Sequence, residues 1–578
     1  MRLINKLFLR VSLGLKSLSS NIGPSLTHWD NGQKSVYLRL TIVAFAFSFF
    51  FMSIGYRLLS VSLSHSSAAK HYASKGKSRK EIVDRNNNLL SVNIPAASAF
   101  VNPSHMINIE KDIEKMSKIV SGLDKKKLLS ELKQPGRTFV WIKRDLTPKE
   151  QQGLHDLGVA GLYFETEERR LYTYGPLLSH LLGHVGRDGK GLAGLERTYD
   201  ELLSHHSVVV PGTEDQALEL TIDVRVQNIV AEELDKVIKE FDANGGIGIV
   251  ADPRTGEIIA MVSKPDFDPH NPSKASVEQL FNRASLGIYE LGSVMKCITM
   301  AIGFDTNTIT LHDAYNLSNL RVANFQVKDY HKAEGWHSVG DIFLHSSNIG
   351  VTQIALEIGS SNIKSYYKKL GLLDPIQIEI AERGSPLYPK QGDWSDISLT
   401  TMSYGYGISI SPLHFVQAMI PIVNGGVMHP LKVVKSSVDK PGTQVLQPNT
   451  SDAMRKLLRL VVAHGTGRKA EVPGYLVGGK TGTANMREGK KYVNNRRMSS
   501  FFGVMPAVDP KYVVFVMLDS PKGTKASFGF ATAGWNATPA TGAILSRMAA
   551  LYGMQPYDEN DAAVQEQLEV DFQIDAET

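Results

Sequence analysis

Cysteine is almost absent from this chain: Cys297 is the only one in 578 residues. Intrachain disulfides and cysteine-built metal clusters are therefore excluded. A surplus of one charge sign is missing too. With 63 Lys+Arg against 58 Asp+Glu the net charge is +5, which argues against nucleic acid as a partner, since such a partner demands a strong basic patch. Cys297 directly follows Lys296 and invites a reading as a nucleophile. On a helix, neighbours in sequence point in different directions, so the thiol reads as a buried core group.

Long apolar runs are scarce as well, and one exception stands out. Leu40 to Tyr56 (LTIVAFAFSFFFMSIGY) carries no charge. Leu38 and Leu58-Leu59 extend it if Arg39 and Arg57 snorkel to the interfaces, reaching the ~20 residues that span a bilayer. Arg2, Lys6, Arg10, Lys16, Lys34 and Arg39 precede or flank it, opposed only by Asp30. Positive-inside orientation then puts the N-terminus in the cytoplasm and the bulk of the chain outside. No A-x-A-like site follows closely, so an uncleaved anchor is expected rather than a removed signal peptide. A buried core helix is the alternative that the basic flank disfavours.

The length leaves room for about two to four domains. The divisions expected are a basic cytoplasmic segment at 1–37, a membrane anchor at 38–59, a mixed region at 60–211, a larger domain at 212–556 and a tail at 557–578. Ser78 to Ile94 reads as a strand, an Asn-rich turn and a second strand, and Phe139 to Ile142 is a short β-prone run. Gly189 to Gly194 satisfies G-x-G-x-x-G, but a dinucleotide site needs a βαβ unit and an acidic residue about 20 positions on. A loop and a strand at Ala217 to Ile222 follow instead, so tight turns are expected there. In the larger domain, Ile247 to Ala251 and Glu257 to Val262 flank Asp252-Pro253-Arg254-Thr255-Gly256 as a hairpin. Met498 to Val504 and Tyr512 to Leu518 form a similar pair, and helical patterns fill the space between. Strands at both ends with helices between predict an α+β fold: one antiparallel sheet assembled from distant segments, packed by helices. The tail carries eight acidic residues and no Lys or Arg, and is expected to be solvated and poorly ordered.

Three short strings carry chemistry. Ser293-Val294-Met295-Lys296 is S-x-x-K, Ser346-Ser347-Asn348 is S-x-N, and Lys480-Thr481-Gly482-Thr483 contains K-T-G. Each alone is cheap: S-x-x-K recurs at Ser74, Ser130, Ser361, Ser365 and Ser437. Context separates Ser293. It follows Gly292, a tolerated N-cap, and opens a helical pattern, so free N–H groups are expected beside it. Lys296 sits one turn on, and could act as a base if burial or a second cation, such as Lys480, lowered its pKa. Ser346 offers a hydroxyl for proton transfer and Asn348 an amide for holding a peptide. Lys480, Thr481 and Thr483 offer a cation and two hydroxyls to a carboxylate, and Gly482 would let a substrate strand approach closely. Together they predict serine acyl transfer on a substrate with a terminal carboxylate.

The surrounding blocks resemble the class B penicillin-binding proteins. Tyr289-Glu290-Leu291-Gly292-Ser293-Val294-Met295-Lys296 is similar to the family's nucleophile block. Asp84-Arg85-Asn86, Gly191 to Glu196, Leu220 to Asp223, Asp252 to Glu257, Gly465-Thr466-Gly467 and Gly478 to Thr483 match others, over roughly Arg79 to Pro556. The usual R-G-x-I-x-D-R-N-G is changed at both glycines, to Lys80 and Asn87; Asn tolerates positive φ, so the turn stands. Val294 replaces a common Thr.

The resemblance implies a serine β-lactamase/penicillin-binding-protein transpeptidase domain on an N-terminal pedestal, and a peptidoglycan D,D-transpeptidase of the septal type. It implies Ser293 as nucleophile, Lys296 as base, the N–H groups of Ser293 and Thr483 as oxyanion hole, and Ser346 as proton relay. Asn348 and Ser347 would meet the donor peptide, and Lys480, Thr481, Gly482 and Thr483 its carboxylate. Partners implied are peptidoglycan stem peptides, β-lactams as covalent inhibitors, an FtsW-like polymerase with other division proteins, and the membrane; no cofactor or metal is implied. Rivals are an elongation-type enzyme of the same class, a D,D-carboxypeptidase or β-lactamase-like hydrolase, and a division scaffold with a dead site. A hydrolase of class A type would need a glutamate-activated water, and no E-x-x-x-N lies between Asn348 and Lys480.

Overall fold

The computed structural model describes residues 42–57, 79–204, 216–390, 394–436, 441–488 and 491–570. The chain divides into two compact units, 1–77 and 78–578. In the first, 42–57 is helical and exposes its phenylalanines, Phe45, Phe47, Phe49, Phe50 and Phe51. The expected span 38–59 lies partly outside the described residues, and no described helix is long and apolar enough to cross a membrane.

The second unit opens with a five-stranded sheet. β1 (Ile82–Val83) turns through Asn87, at φ 62°, into the long β2 (Leu89–Val101). β3 (Val140–Leu146) and β4 (Leu162–Tyr172) pair antiparallel with β2. β5 (Leu218–Glu219) pairs parallel with β1, so the first strand after the expected boundary at 211 still belongs to the pedestal sheet. The boundary itself falls outside the described residues. Three helices cover one face: α1 (Ile109–Ile119), α2 (Lys125–Leu132) and α3 (Pro148–Asp156). α3 starts on a capping box in which Thr147 and Glu150 each bond the other's backbone N–H, satisfying two orphan donors. Ile113, Met116, Leu128, Leu132 and Leu154 meet Ala99, Val101, Val140 and Ile142 in a closed core.

The larger domain is built on a second five-stranded sheet. α4 (Val224–Glu240) leads into β6 (Gly245–Ala251) and β7 (Ile258–Lys264). Long after come β8 (Gly478–Glu488), β9 (Lys491–Met505) and β10 (Tyr512–Asp519). The order is β8-β9-β10-β6-β7, antiparallel throughout. This is the predicted sheet from distant segments. β10 reads as an unbroken apolar run because both faces are covered. Period-2 alternation sends Val514, Val516 and Leu518 to one side and Val513, Phe515 and Met517 to the other. On the first side lie α4, through Val226, Val230 and Leu234, and α10 (Ala537–Leu551), through Ile544 and Leu545. On the second lie α5 (Lys296–Asp305), α6 (Val339–Leu344), α7 (Asn348–Ile358), α8 (Pro412–Val423) and α9 (Pro448–His464).

The two sheets are bolted together by residues from the recognised blocks. Asp84, fully buried, accepts from the N–H groups of Asn86 and Asn88 (both 2.8 Å) and of Val224 (3.2 Å). Arg85 pairs with Glu257 at 2.6 Å. Within the pedestal itself, Glu196, with no exposed side-chain surface, is held by Arg79 at 2.6 Å and Arg170 at 2.7 Å. The Gly189 to Gly194 run forms tight turns, with Gly189 N–H on the Gly186 carbonyl at 3.0 Å, and follows a short helix rather than a strand.

Of the expected tail, 571–578 lie outside the described residues, and most side chains of 558–569 are exposed. Residues 557–570 pack on the domain, with α11 (Ala562–Leu568) beside α9. Tyr557 N–H bonds the Gly474 carbonyl at 2.7 Å, Gly474 N–H bonds Glu559 at 2.7 Å, and Val570 is buried. Its acidity leaves it soluble, but a few backbone bonds and one apolar anchor suffice to dock it.

Candidate active site

The three motif strings meet between β8 and the helical layer. Ser293 lies in a 3₁₀ turn, Gly292–Met295, which runs into α5 at Lys296. The expected helix start is thus a tighter turn, and Gly292 is its first residue rather than its cap. Gly292 sits at φ +61°, and a Cβ there would stand 2.7 Å from the Thr483 carbonyl oxygen. Gly482 answers it from the strand: a Cβ would meet Val294 Cγ1 at 2.8 Å and the Leu291 carbonyl at 2.9 Å. The missing side chain at Gly482 therefore serves the close seating of the Ser293 turn on β8.

Lys296 and Lys480 are both buried, at 1% and 0% exposure. Lys296 Nζ donates to the Ser346 carbonyl and to Ser346 Oγ, the latter at 3.1 Å; Ser293 Oγ is not among its described partners. Burial first, and the Lys480 charge second, push Lys296 well below the usual lysine range, while Asp329 pulls the other way. Lys480 Nζ has no hydrogen-bond partner among the described residues and lies 5.5 Å above the Phe343 ring. Burial pushes its pKa down to about 8. Cys297 is fully buried, and its thiol is pushed up to about 12 by that burial, which fits a core group.

Ser346 has φ 58° and turns the chain into α7. Ser347, expected to touch substrate, is buried and caps this helix instead: its Oγ accepts from Gly350 N–H at 3.0 Å and donates to Asp329 at 2.6 Å. Asn348 donates its side-chain amide to the Lys328 carbonyl at 2.8 Å. Thr481 Oγ1 lies 2.8 Å from Thr466 Oγ1, and both Thr481 and Thr483 are half-buried.

β8 is the edge strand, so one of its sides faces no other strand. Asn485 N–H points outward to Tyr406 Oη at 3.2 Å. Antiparallel alternation puts the N–H groups of Thr481 and Thr483 on that same outer side, the Thr483 group next to the Ser293 turn. Two residues entered the site unassigned by sequence reasoning. Thr466 was visible as a motif without a role, and Asp329 carried no signal at all, lying far ahead of Ser347 in a loop.

Family models match here: the penicillin binding protein transpeptidase domain over 246–538 and the penicillin-binding protein dimerisation domain over 75–209. A probable peptidoglycan D,D-transpeptidase FtsI of Caulobacter vibrioides is 36% identical over 489 residues, covering 82% of each chain. The peptidoglycan D,D-transpeptidase FtsI of Escherichia coli K12 is 27% identical, covering 83% of this chain and 84% of that one. Among solved structures, penicillin binding protein 3 of Mycobacterium tuberculosis, complexed with aztreonam, superposes with a TM-score of 0.66 at 23% identity, covering 83% of this chain and 97% of the other. The chain belongs to the penicillin-binding protein transpeptidases, in the class B, FtsI-type branch.

Proposed function

We propose that this protein is a membrane-anchored peptidoglycan D,D-transpeptidase that cross-links stem peptides through an acyl-enzyme on Ser293, in septal wall synthesis. The observation that carries the chemistry is the pair of buried lysines. An ammonium without a hydrogen-bond partner among the described residues, at Lys480, is a waiting site for an anion, and its charge helps keep Lys296 neutral enough to act as a base.

Lys296 takes the Ser293 proton as Oγ attacks the penultimate carbonyl of the donor stem. The N–H groups of Ser293 and Thr483 hold the oxyanion, each such donor being worth about 3 kcal/mol. As the peptide C–N bond breaks, the proton passes through Ser346 to the leaving D-alanine. An amine of a second stem then attacks the ester and gives its proton to the Lys296–Ser346 pair, which passes it to Ser293 Oγ as the ester C–O bond breaks. Lys480, Thr481 and Thr483 hold the donor carboxylate, and Asn348 the donor backbone. The region 60–211 serves as a pedestal lifting the site from the membrane and meeting an FtsW-like polymerase, with 38–59 as anchor and 212–556 as catalytic domain. The anchor reading rests on the charge asymmetry around the apolar run and places the site on the outer side of the cytoplasmic membrane.

Labelled penicillin should form a long-lived adduct on the wild type and none on Ser293→Ala. Equal labelling of the two would sink the nucleophile assignment, and rapid turnover of the adduct would favour a hydrolase. A tagged copy should gather at the division plane; even spreading along the side wall would favour the elongation role.

A further inference from the structure

The half-buried carboxylate of Asp329 gathers three donors from the Ser346-Ser347-Asn348 turn: Ser347 Oγ at 2.6 Å, the Asn348 N–H, and the Ile349 N–H at 3.0 Å. All three lie at the N-terminus of α7, where a negative charge is favoured. The preceding residue, Lys328, accepts from the Asn348 amide, which leaves the Asn348 amide oxygen as its free acceptor. Ser346 is held in a left-handed conformation that costs a non-glycine residue energy. Its carbonyl is fixed by Lys296 on one side, and the residues after it are fixed by Asp329 on the other.

We propose that Asp329 is a positioning residue of the transpeptidase centre, holding the Ser346-Ser347-Asn348 turn so that Ser346 faces Lys296 and Asn348 keeps its amide oxygen turned to substrate. This rests on the reading of Ser293 as nucleophile and Lys296 as base. The same carboxylate has an electrostatic reach. Lys296 feels Lys480 from β8, which disfavours its protonated form, and Asp329 from the loop before α6, which favours it. Asp329 is thus a counterweight to Lys480 across the base.

The full chain and its Asp329→Asn and Asp329→Ala variants are compared by the second-order rate of acylation with labelled penicillin between about pH 6 and 10, beside Ser293→Ala and a melting curve for each. Asparagine keeps a carbonyl oxygen for the N–H groups and an amide for Ser347 but removes the charge. Its acid limb should move to lower pH, because protonated Lys296 loses a stabilising partner. Alanine removes the grip as well and should slow acylation between about tenfold and about a hundredfold, the scale of a misplaced catalytic group. A cap with no catalytic bearing would lower both melting curves and leave rates and limb where they were; that result overturns the proposal. If Asp329→Ala does not fold, the limb of Asp329→Asn decides alone: displaced downward it supports the proposal, unmoved it refutes it. Labelling of Ser293→Ala would bring down the nucleophile reading and this proposal with it. An unmoved limb with Ser293→Ala inert brings down this proposal only.

Discussion

Replacing Lys480 with methionine should make the protein more stable and inactive. The side chain is fully buried, its ammonium has no hydrogen-bond partner among the described residues, and its pKa falls from 10.5 to about 8. At 1.36 kcal/mol for each tenfold change, that fall corresponds to about 3 kcal/mol of cost for carrying the charge in the folded state. Methionine fills similar space without the charge, and relieving a buried ion in this way is often stabilising by about 1–4 kcal/mol. The sign with pH follows from linkage. The unfolded lysine holds its proton more tightly, so the penalty is complete below about pH 8. It is relieved as pH rises towards 10.5, above which both states are neutral. The stability gap between Lys480→Met and wild type should therefore be widest near pH 7 and close towards pH 10. Thermal melts of the purified full chain at several pH values measure it, with about 5 °C or more expected at neutral pH. Penicillin acylation of the same samples should be lost. A variant that melts at or below wild type at pH 7, or a gap that does not change with pH, would refute the reasoning.

Other consequences are as direct. Gly482→Ala must push Val294 and the Leu291 carbonyl away; overpacking of this kind costs about 1–3 kcal/mol, and acylation should fall further than stability because the displaced turn carries Ser293. Glu196→Ala strands Arg170, whose side chain is only 2% exposed, and leaves Arg79 with Asp200 alone at 2.7 Å. That should cost about 3–5 kcal/mol in melts while low-temperature acylation stays near wild type. Since Lys296 is held well below the usual lysine range, acylation should rise with pH and level off before that range is reached. Lys296→Arg, cationic at every accessible pH, should show no rise.

Most of this architecture is legible in the sequence because hydrophobic pattern and turn chemistry are local. The hairpin around Asp252 to Gly256, the Asn87 turn, and the β9–β10 pair were all legible from alternation and punctuation. The recognised blocks outside the motifs acquired a reason only in three dimensions, where Asp84, Arg85 and Glu257 fasten the two sheets and Glu196 ties the pedestal together. The site was half legible. The strings at Ser293, Ser346 and Lys480 announce their chemistry by residue type, but burial of both lysines depends on helices contributed from far away. The seating of the Ser293 turn on Gly482 was not legible because a glycine's neighbour through space is invisible in one dimension. Ser347 was misread because a serine ahead of a helix is as good a cap as a ligand. Asp329 was missed because a lone aspartate in a loop has no pattern, and only the fold brings it under α7.

The open side of β8 also acts as a ruler. At Asn485 the outward N–H is already taken by Tyr406, and the Thr483 carbonyl is packed against the bare backbone of Gly292. What remains for a guest chain is a rung or two at Thr481 and Thr483, with Tyr406 bonded at Asn485 and Thr466 beside Thr481. On this reading an extended peptide would be stopped where a chain terminus would not. Selection for the end of a peptide over its middle would then be set by how soon the edge strand is stopped, as much as by the cation waiting at Lys480.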